Sequence, residues 1–479
     1  MGATTTRTRK RSLFINQNFL LLWIGGTISR LSWILLVIGF GLWIITDLIT
    51  NPAASTSAVK NIELIALLGL VTIGLFAGVF IDRWKDKKRV LVTTSAARAC
   101  SSLLPLLAAL LLSYAHLPAP WGTGLPLISI YVYMLVVSVL THFAIPASYS
   151  VFVDCVEEQD YSYANGLLLT ATFASVPVGF FMAVPLFAAF NIYGILVLCT
   201  LMYIVSFIAS SQLQVEMHGE TSQRKGMFRE WGASVAFCFK NPLLLVLLFT
   251  LVFINIWNGA FVTLGNTFLS QNLHMAAQQP LYAGVDMLYR DVSITIQVGF
   301  AVGSLLAGLV ARKWGERRVF SYALLIAGVL MLIVSRFTVY TPALVTIFLL
   351  YILLGAVNVI AVPIYLWITP RHFLGRIRSI VDVVSNIVPV VVGGACLVLL
   401  GSKAQHVQLQ FLGITFTSID GTLAIAGIVC IAGGILVVNL LTGSRAIAAK
   451  KAALSATNEA GSLNSNTAET REPIISGKN

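Results

Sequence analysis

The sequence predicts an all-α integral membrane protein of about twelve transmembrane helices, arranged as two pseudo-repeated six-helix bundles. Three observations carry this expectation. Of the 479 residues, 57% are apolar and only 10% charged, whereas a soluble domain keeps roughly 25% charged to face water. The apolar residues come in blocks of about 20 or more, the length that crosses ~30 Å of hydrocarbon at 1.5 Å per residue. Phe19–Leu48, Ile62–Ile81, Val90–Leu112, Leu243–Phe268 and Pro342–Ile368 are such blocks. Finally, Lys and Arg concentrate in alternate connections. The blocks are too long for barrel strands of about 9–11 residues, and a spanning helix satisfies its own backbone hydrogen bonds.

Residues 1–18 form a basic N-terminus with Arg7, Arg9, Lys10 and Arg11. The apolar stretch behind them runs for nearly thirty residues with no small-residue cleavage site, which predicts a retained span and not a signal peptide. Spans follow at 19–48, 62–82, 90–112, 125–153, 163–189 and 192–211, making an N-terminal bundle over 19–211. A polar cytoplasmic loop at 212–241 separates them from spans at 243–268, 293–311, 318–336, 342–368, 377–400 and 422–442, the C-terminal bundle over 242–442. Residues 443–479, with Ser, Asn, Thr and Glu and no apolar face, read as a disordered cytoplasmic tail.

Orientation follows from counting Lys and Arg alone. With the N-terminus inside, the cytoplasmic segments hold 25 of the 31 basic residues and the external ones only Lys60, Arg290, Arg336 and Lys403. Arg30 and Arg98 fall within spans. Both termini are therefore expected in the cytoplasm, in the plasma (inner) membrane of a bacterium. The net charge of +12 is topological, and nucleic acid is not needed as a partner to explain it. The six cysteines are scattered without C-x-x-C or metal-ligand spacing and read as small core residues.

The chain repeats itself. The connection after span two reads Gly78-Val-Phe-Ile-Asp82-Arg83-Trp84-Lys-Asp-Lys87-Lys88-Arg89, and that after span eight reads Gly308-Leu-Val-Ala-Arg312-Lys313-Trp314-Gly315-Glu-Arg317-Arg318. Pro146 and Pro177-Val-Gly179 in spans four and five echo Pro363 and Pro389 with Gly393-Gly394 in spans ten and eleven. Duplication with a site between the halves is a usual construction of secondary transporters. Pro177, Gly179, Pro389 and Gly393 are candidates for helix bending.

The first of these loops resembles the G-x-x-x-D-R-x-x-R-[RK] signature of the major facilitator superfamily. Asn18-Phe19-Leu-Leu-Leu-Trp23, Arg98-Ala99, Pro146-Ala147, Asp154 and Ala164-Asn165 are similar to its exporter branch of macrolide and siderophore efflux proteins and lysophospholipid transporters. The resemblance implies an alternating-access transporter with spans one, four, seven and ten around a central cavity. It also implies a cytoplasmic latch between the halves, built from Gly78, Asp82, Arg83, Lys88 and Asp154 and, in the second copy, Arg312 and Arg317. Charge that merely orients the chain is the competing reading.

Within the membrane, Arg30, Arg98 and His142 are candidates for the cavity or for coupling, because a charged group there is expensive unless it faces a cavity or a partner. Internal hydrogen bonding between helices is the alternative for each. Asp382 is the one acid clearly inside a span and could carry a proton, pair with a base or cap a neighbouring backbone. Asp47 lies near the outer end of span one. Asn255, Trp257, Asn258 and Asn266 in span seven, with Asn358, Tyr365 and Trp367 in span ten, suit a mixed apolar and polar ligand; Trp367 also fits an interfacial belt.

No P-loop, G-x-S-x-G, H-E-x-x-H or clustered His/Cys set is present, so enzymatic chemistry, metal and cofactor are not expected. The expectation is a secondary active transporter driven by the proton gradient, exporting an amphiphilic drug, siderophore or lipid-like molecule by antiport. Mid-depth basic residues favour neutral, zwitterionic or anionic cargo. A nutrient importer or facilitator of the same fold is the alternative, and a non-transporting receptor or scaffold the remote one. Beyond substrate and bilayer, no obligate protein partner is expected.

Overall fold

The computed structural model describes residues 15–84, 86–115, 121–214, 227–271, 287–369, 374–399, 408–411 and 414–442. The expected basic N-terminus before residue 15, the tail 443–479 and most of the connection 270–292 lie outside the described residues.

Helix starts follow local chemistry. Asn16 keeps an extended backbone, and its side-chain oxygen accepts the Phe19 amide at 2.7 Å, opening α1 (Gln17–Trp43). The helix ends in a π-helical turn, Ile44–Leu48. Asn51 caps α2 (Pro52–Gly69) with Pro52 in the first turn, where a missing amide donor is harmless. A second π turn, Leu70–Gly74, leads into α3 (Leu75–Arg83), whose last turn carries Arg83 at the negative end of the helix dipole. Asp86 accepts the Arg89 amide at 2.9 Å and so starts α4 (Lys87–Ala115). α5 spans Trp121–Cys155.

Spans five and six form a single rod, α6 (Tyr161–Ser211), which stays helical through Pro177 and Gly179 and breaks only at Asn191, φ 52°. Asn191 separates the two crossings of this rod, and its short amide side chain tolerates the left-handed region. α8 (Pro242–Gln271), α9 (Met287–Trp314), α10 (Glu316–Val334), α11 (Tyr340–Ile368), α12 (Leu374–Leu399) and α13 (Ser418–Thr442) complete the second half. Nine segments among the described residues are apolar and long enough to cross a membrane. One of these holds both crossings of α6, while α12 and α13, of 26 and 25 residues, exceed the roughly 20 that a crossing needs. Among the described residues, these helices are compatible with the expected twelve crossings.

Two features fall outside the expected plan. Part of the central 212–241 segment is a helix, α7 (Met227–Lys240), with Ser234 and Cys238 buried and Gly232, Ala233, Ala236 and Phe239 exposed. It packs against α8, α3 and α12, with Trp231 and Phe76 ring centres 6.5 Å apart. Between α12 and α13 a short antiparallel hairpin pairs Gln408–Phe411 with Ile414–Thr417.

Each half has its own apolar interior. In the first half, Leu35, Phe40, Tyr133, Ile195 and Tyr203 pack together, and a second cluster around Phe19, Phe152 and Ala164 sits toward the basic end. In the second half the core gathers around Trp257, Phe320, Tyr351 and Leu354. The halves touch where α3 and α5 meet α12, and where α6 meets α9 and α11.

Candidate functional site

The halves close on each other at the end that carries the basic connections. Gly78 of α3 lies so near α12 that a Cβ there would stand 2.2 Å from the Gly375 carbonyl oxygen. On the opposite side, a Cβ at Gly166 of α6 would come within 2.7 Å of the Ser304 carbonyl oxygen of α9. Arg312, in the last turn of α9, pairs with Asp160 and holds its guanidinium 4.2 Å over the Tyr163 ring. The Ser162 hydroxyl donates to the Glu316 carboxylate. Gly315, at φ 85°, makes the turn from α9 to α10 that sets Arg312 and Glu316 on one rim. Arg317 lines a neighbouring cleft of about 550 Å3 with Glu158, Glu316 and Arg318.

Two expected latch residues, Gly78 and Arg312, therefore sit at contacts between the halves. Asp160, Ser162, Tyr163 and Glu316 were missed by the sequence reading, although the acids Glu157, Glu158 and Asp160 stood just before span five. Arg83 ends α3, Lys88 lies in the first turn of α4 and Asp154 in the last turn of α5. The Asp82 side chain lies outside the described residues.

Deeper between the halves, His142 of α5 and Asp382 of α12 meet at 3.2 Å through Nδ1 and Oδ2, with 11% and 14% of their side chains exposed. Asn386, one turn along α12, donates to the Asp382 backbone oxygen at 2.7 Å and to Oδ1 at 3.3 Å. Gly74 leaves room beside the imidazole, its Cβ position 3.6 Å from Nδ1. One turn toward the basic end, Arg378 of α12 stacks 4.0 Å over the Tyr149 ring of α5, with Tyr365 of α11 beside it. Positions 378 and 382 of α12 thus grip positions 149 and 142 of α5, two polar rungs joining the halves. Nothing in the linear sequence paired these residues, although both Asp382 and His142 stood out as intramembrane polar groups.

Arg30 and His142 both lie thirteen residues from the basic ends of α1 and α5, about 20 Å at 1.5 Å per residue. Arg30 is exposed and follows Ser29, which Arg98 ties to Thr141, the residue before His142. Arg98 has a different setting. It is buried, and donates to Ser29 Oγ at 2.8 Å and Thr141 Oγ1 at 3.1 Å, beside Tyr133 and Tyr203. This ties α4 to α1 and α5, so internal hydrogen bonding is the setting the structure gives Arg98.

The second-half candidates are mostly satisfied locally. Asn255 and Asn358 donate to the carbonyls of Leu251 and Leu354 in their own helices, and the Tyr351 hydroxyl donates to Asn258 Oδ1 at 3.1 Å. Trp257 is fully buried against Phe261, ring centres 5.5 Å apart. Its Nε1 donor finds no acceptor among the described residues. Pro389 packs its backbone against Gly259, and Gly393 lies within helical α12. The side chains of Asn266 and Trp367 lie outside the described residues, and Asp47 accepts the Asn191 amide at 3.0 Å near the far end.

Comparison with known proteins gives a consistent fold. The family model described as Major Facilitator Superfamily matches residues 22–392. An uncharacterized MFS-type transporter, YkuC of Bacillus subtilis (strain 168), is 22% identical over 385 residues, covering 77% of this chain and 82% of its own length. Among solved structures, a bacterial homologue of the iron transporter ferroportin in an outward-facing state superposes with a TM-score of 0.66 at 14% identity, covering 88% of this chain and 97% of that one. The E. coli fucose:proton symporter FucP gives 0.63 at 11% identity, with 89% and 98% covered.

Proposed function

We propose that this chain, which belongs to the Major Facilitator Superfamily, uses the proton gradient to export an amphiphilic small molecule by alternating access. Membership makes it a multi-pass membrane transporter and not an enzyme. The finer reading rests on one observation, the His142–Asp382 contact across the two halves. A carboxylate and an imidazole shared between rigid bundles hold them together deep between the halves, beyond the contacts at the basic end. Protonation of Asp382 removes its charge and weakens the bridge. A proton that prefers the separated arrangement shifts the equilibrium toward it, which is all that coupling requires.

The excess of Lys and Arg in alternate connections supports a cytoplasmic basic end; on that reading the arrangement described is closed inside, an outward-facing state of a plasma-membrane protein. A proton entering from outside would reach Asp382, loosen the cytoplasmic closure and leave inward. Substrate would then take its turn, and restored charge on Asp382 would close the cytoplasmic side again. Export is favoured by the exporter-like residues of span one and by Asp154 with Ala164-Asn165. No cofactor enters this cycle; the proton gradient supplies the energy.

The test is transport in proteoliposomes with a panel of amphiphilic drugs, lysolipids and siderophore-like acids. Uphill movement that an uncoupler abolishes, directed outward in vesicles of known orientation, supports the reading. Uphill inward movement makes the chain an importer, and downhill movement alone makes it a facilitator. Silence from a folded preparation across the panel counts against transport of this class.

A further inference from the structure

We propose that Arg30 anchors a negatively charged group of the transported molecule, which makes the substrate an amphiphilic organic anion bearing a carboxylate, phosphate or sulfonate. This rests on the transport reading above and narrows it.

The packing of α1 leaves one side of the helix open. Gly25 and Ser32 face the second half of α6, where the Ser206 hydroxyl and the Cys199 thiol donate to their carbonyls at 2.9 and 3.6 Å. Trp23 faces the first half of α6, its Nε1 donating to the Leu167 carbonyl at 3.0 Å, and Ile34 packs on Gly179 there. Ser29 is held by Arg98 of α4. The remaining side presents Gly26 and Arg30, four residues apart and both exposed. A Cβ at Gly26 would meet nothing within 4 Å. Arg98 bridges Ser29 of α1 and Thr141 of α5 with one guanidinium, so the residues that follow them, Arg30 and His142, stand at one level. His142 meets Asp382 of the other half; the open side of α1 lies beside that junction.

Arg30 makes no hydrogen bond with any described residue. Asp382 is already engaged by His142 and Asn386, Arg98 is held by Ser29 and Thr141, and Arg378 lies on the Tyr149 ring. Three guanidinium groups thus stand near one engaged carboxylate, and Arg30 is the one that no described residue holds. A charge retained at that depth marks a substrate or ion pathway with a partner to be named. The rigid guanidinium fork matches the paired oxygens of carboxylate, phosphate or sulfonate and binds them bidentately. A cationic cargo would instead have to displace Arg30 from its surroundings.

The experiment uses the full chain in proteoliposomes and a series of equal-sized aromatic probes. Naphthoate, naphthyl phosphate and naphthalenesulfonate carry the anion; naphthol and naphthylmethylamine are its uncharged and cationic counterparts. The wild type is expected to move at least one of the anions in preference to both counterparts. Arg30→Gln should raise KM for that anion about tenfold to a hundredfold, the range for a lost charge-assisted hydrogen bond, with a smaller change in kcat. Arg30→Lys should retain part of the affinity. Movement of only naphthol or naphthylmethylamine overturns the proposal and leaves transport standing, as does Arg30→Gln slowing all probes alike, the behaviour of a gate residue. Failure of a folded wild type to move any probe counts against the transport reading itself. The wild-type selectivity arm decides the matter even where a variant does not fold, which the melting temperature of each preparation reports.

Discussion

The carbonyl oxygen of Gly375 occupies the space a Cβ on Gly78 would need, 2.2 Å from its position. This contact joins α3 to α12 across the two halves, and backbone cannot move aside as a flexible side chain can. Gly78→Val should force the two helices apart and lower transport about tenfold or more, with Gly78→Ala intermediate, in line with the 1–3 kcal/mol typical of overpacking. The fold should survive, because each half keeps its own core. Alkylation of a cysteine introduced at Ser379 from the side of the basic connections would report the opening; unchanged transport in Gly78→Val would refute the requirement.

His142 and Asp382 should behave as one unit. Removing either leaves its partner half-stranded between the halves, so Asp382→Asn and His142→Ala should each abolish uphill transport while sparing downhill exchange. The double variant should be hardly worse than either single one, with a coupling of about 1–3 kcal/mol. Strict additivity in such a cycle would show that the contact carries no function.

The Arg312–Asp160 rim should matter less. Both groups are partly solvated, 28% and 15% exposed, so the ion pair contributes about 0.2–1 kcal/mol and the Tyr163 ring about 0.5–1 more. Arg312→Gln should shift the closed population by at most about thirtyfold, measured as a distance distribution between spin labels on the basic ends of α6 and α9. High salt should mimic the variant in the wild type, because screening shortens the reach of exposed charges.

Asn191 joins the two crossings of α6 at φ 52°, and its amide donates to Asp47 at 3.0 Å. Asn191→Val should destabilise the protein by about 1–2 kcal/mol, since a branched side chain crowds the backbone in the left-handed region. Asn191→Gly should come out near neutral, relief of strain offsetting the lost hydrogen bond. Thermal unfolding in detergent distinguishes the two; equal losses would mean that the hydrogen bond, and not the torsion, governs this hinge.

Cys238 reports on α7. It is 3% exposed, and burial pushes its thiol from the ordinary range up to about 11. The thiolate is the nucleophile, and a raised value leaves the thiol protonated at neutral pH, with labelling rising as pH climbs toward 11. Undocking of α7 from α3 and α12 would restore exposure and an ordinary thiol. Maleimide labelling of Cys238 should therefore be slow in the wild type and faster in Gly78→Val; equal rates would show that α7 does not follow the opening.

The all-helical membrane fold and its long apolar segments are legible in the sequence, as is an expected orientation, because a bilayer reads the chain in one dimension. Each block need only be about 20 residues long and apolar, and each loop need only carry or lack Lys and Arg. The repeated loops also pointed to Gly78 and Arg312 before any contact was known. What faces what is another matter. Helices such as α5 and α11 are apolar nearly all round, and lipid tails are as apolar as leucine, so no hydrophobic stripe marks their inner faces. Rotation about each axis is then decided by close packing and a few polar contacts with helices distant in sequence. That is why His142 and Asp382, 240 residues apart, become partners only in the folded molecule. It is also why Asp160 and Glu316 supply the rim contacts, why Trp257 turns into the core, and why Arg98 is tied up while Arg30 is left open.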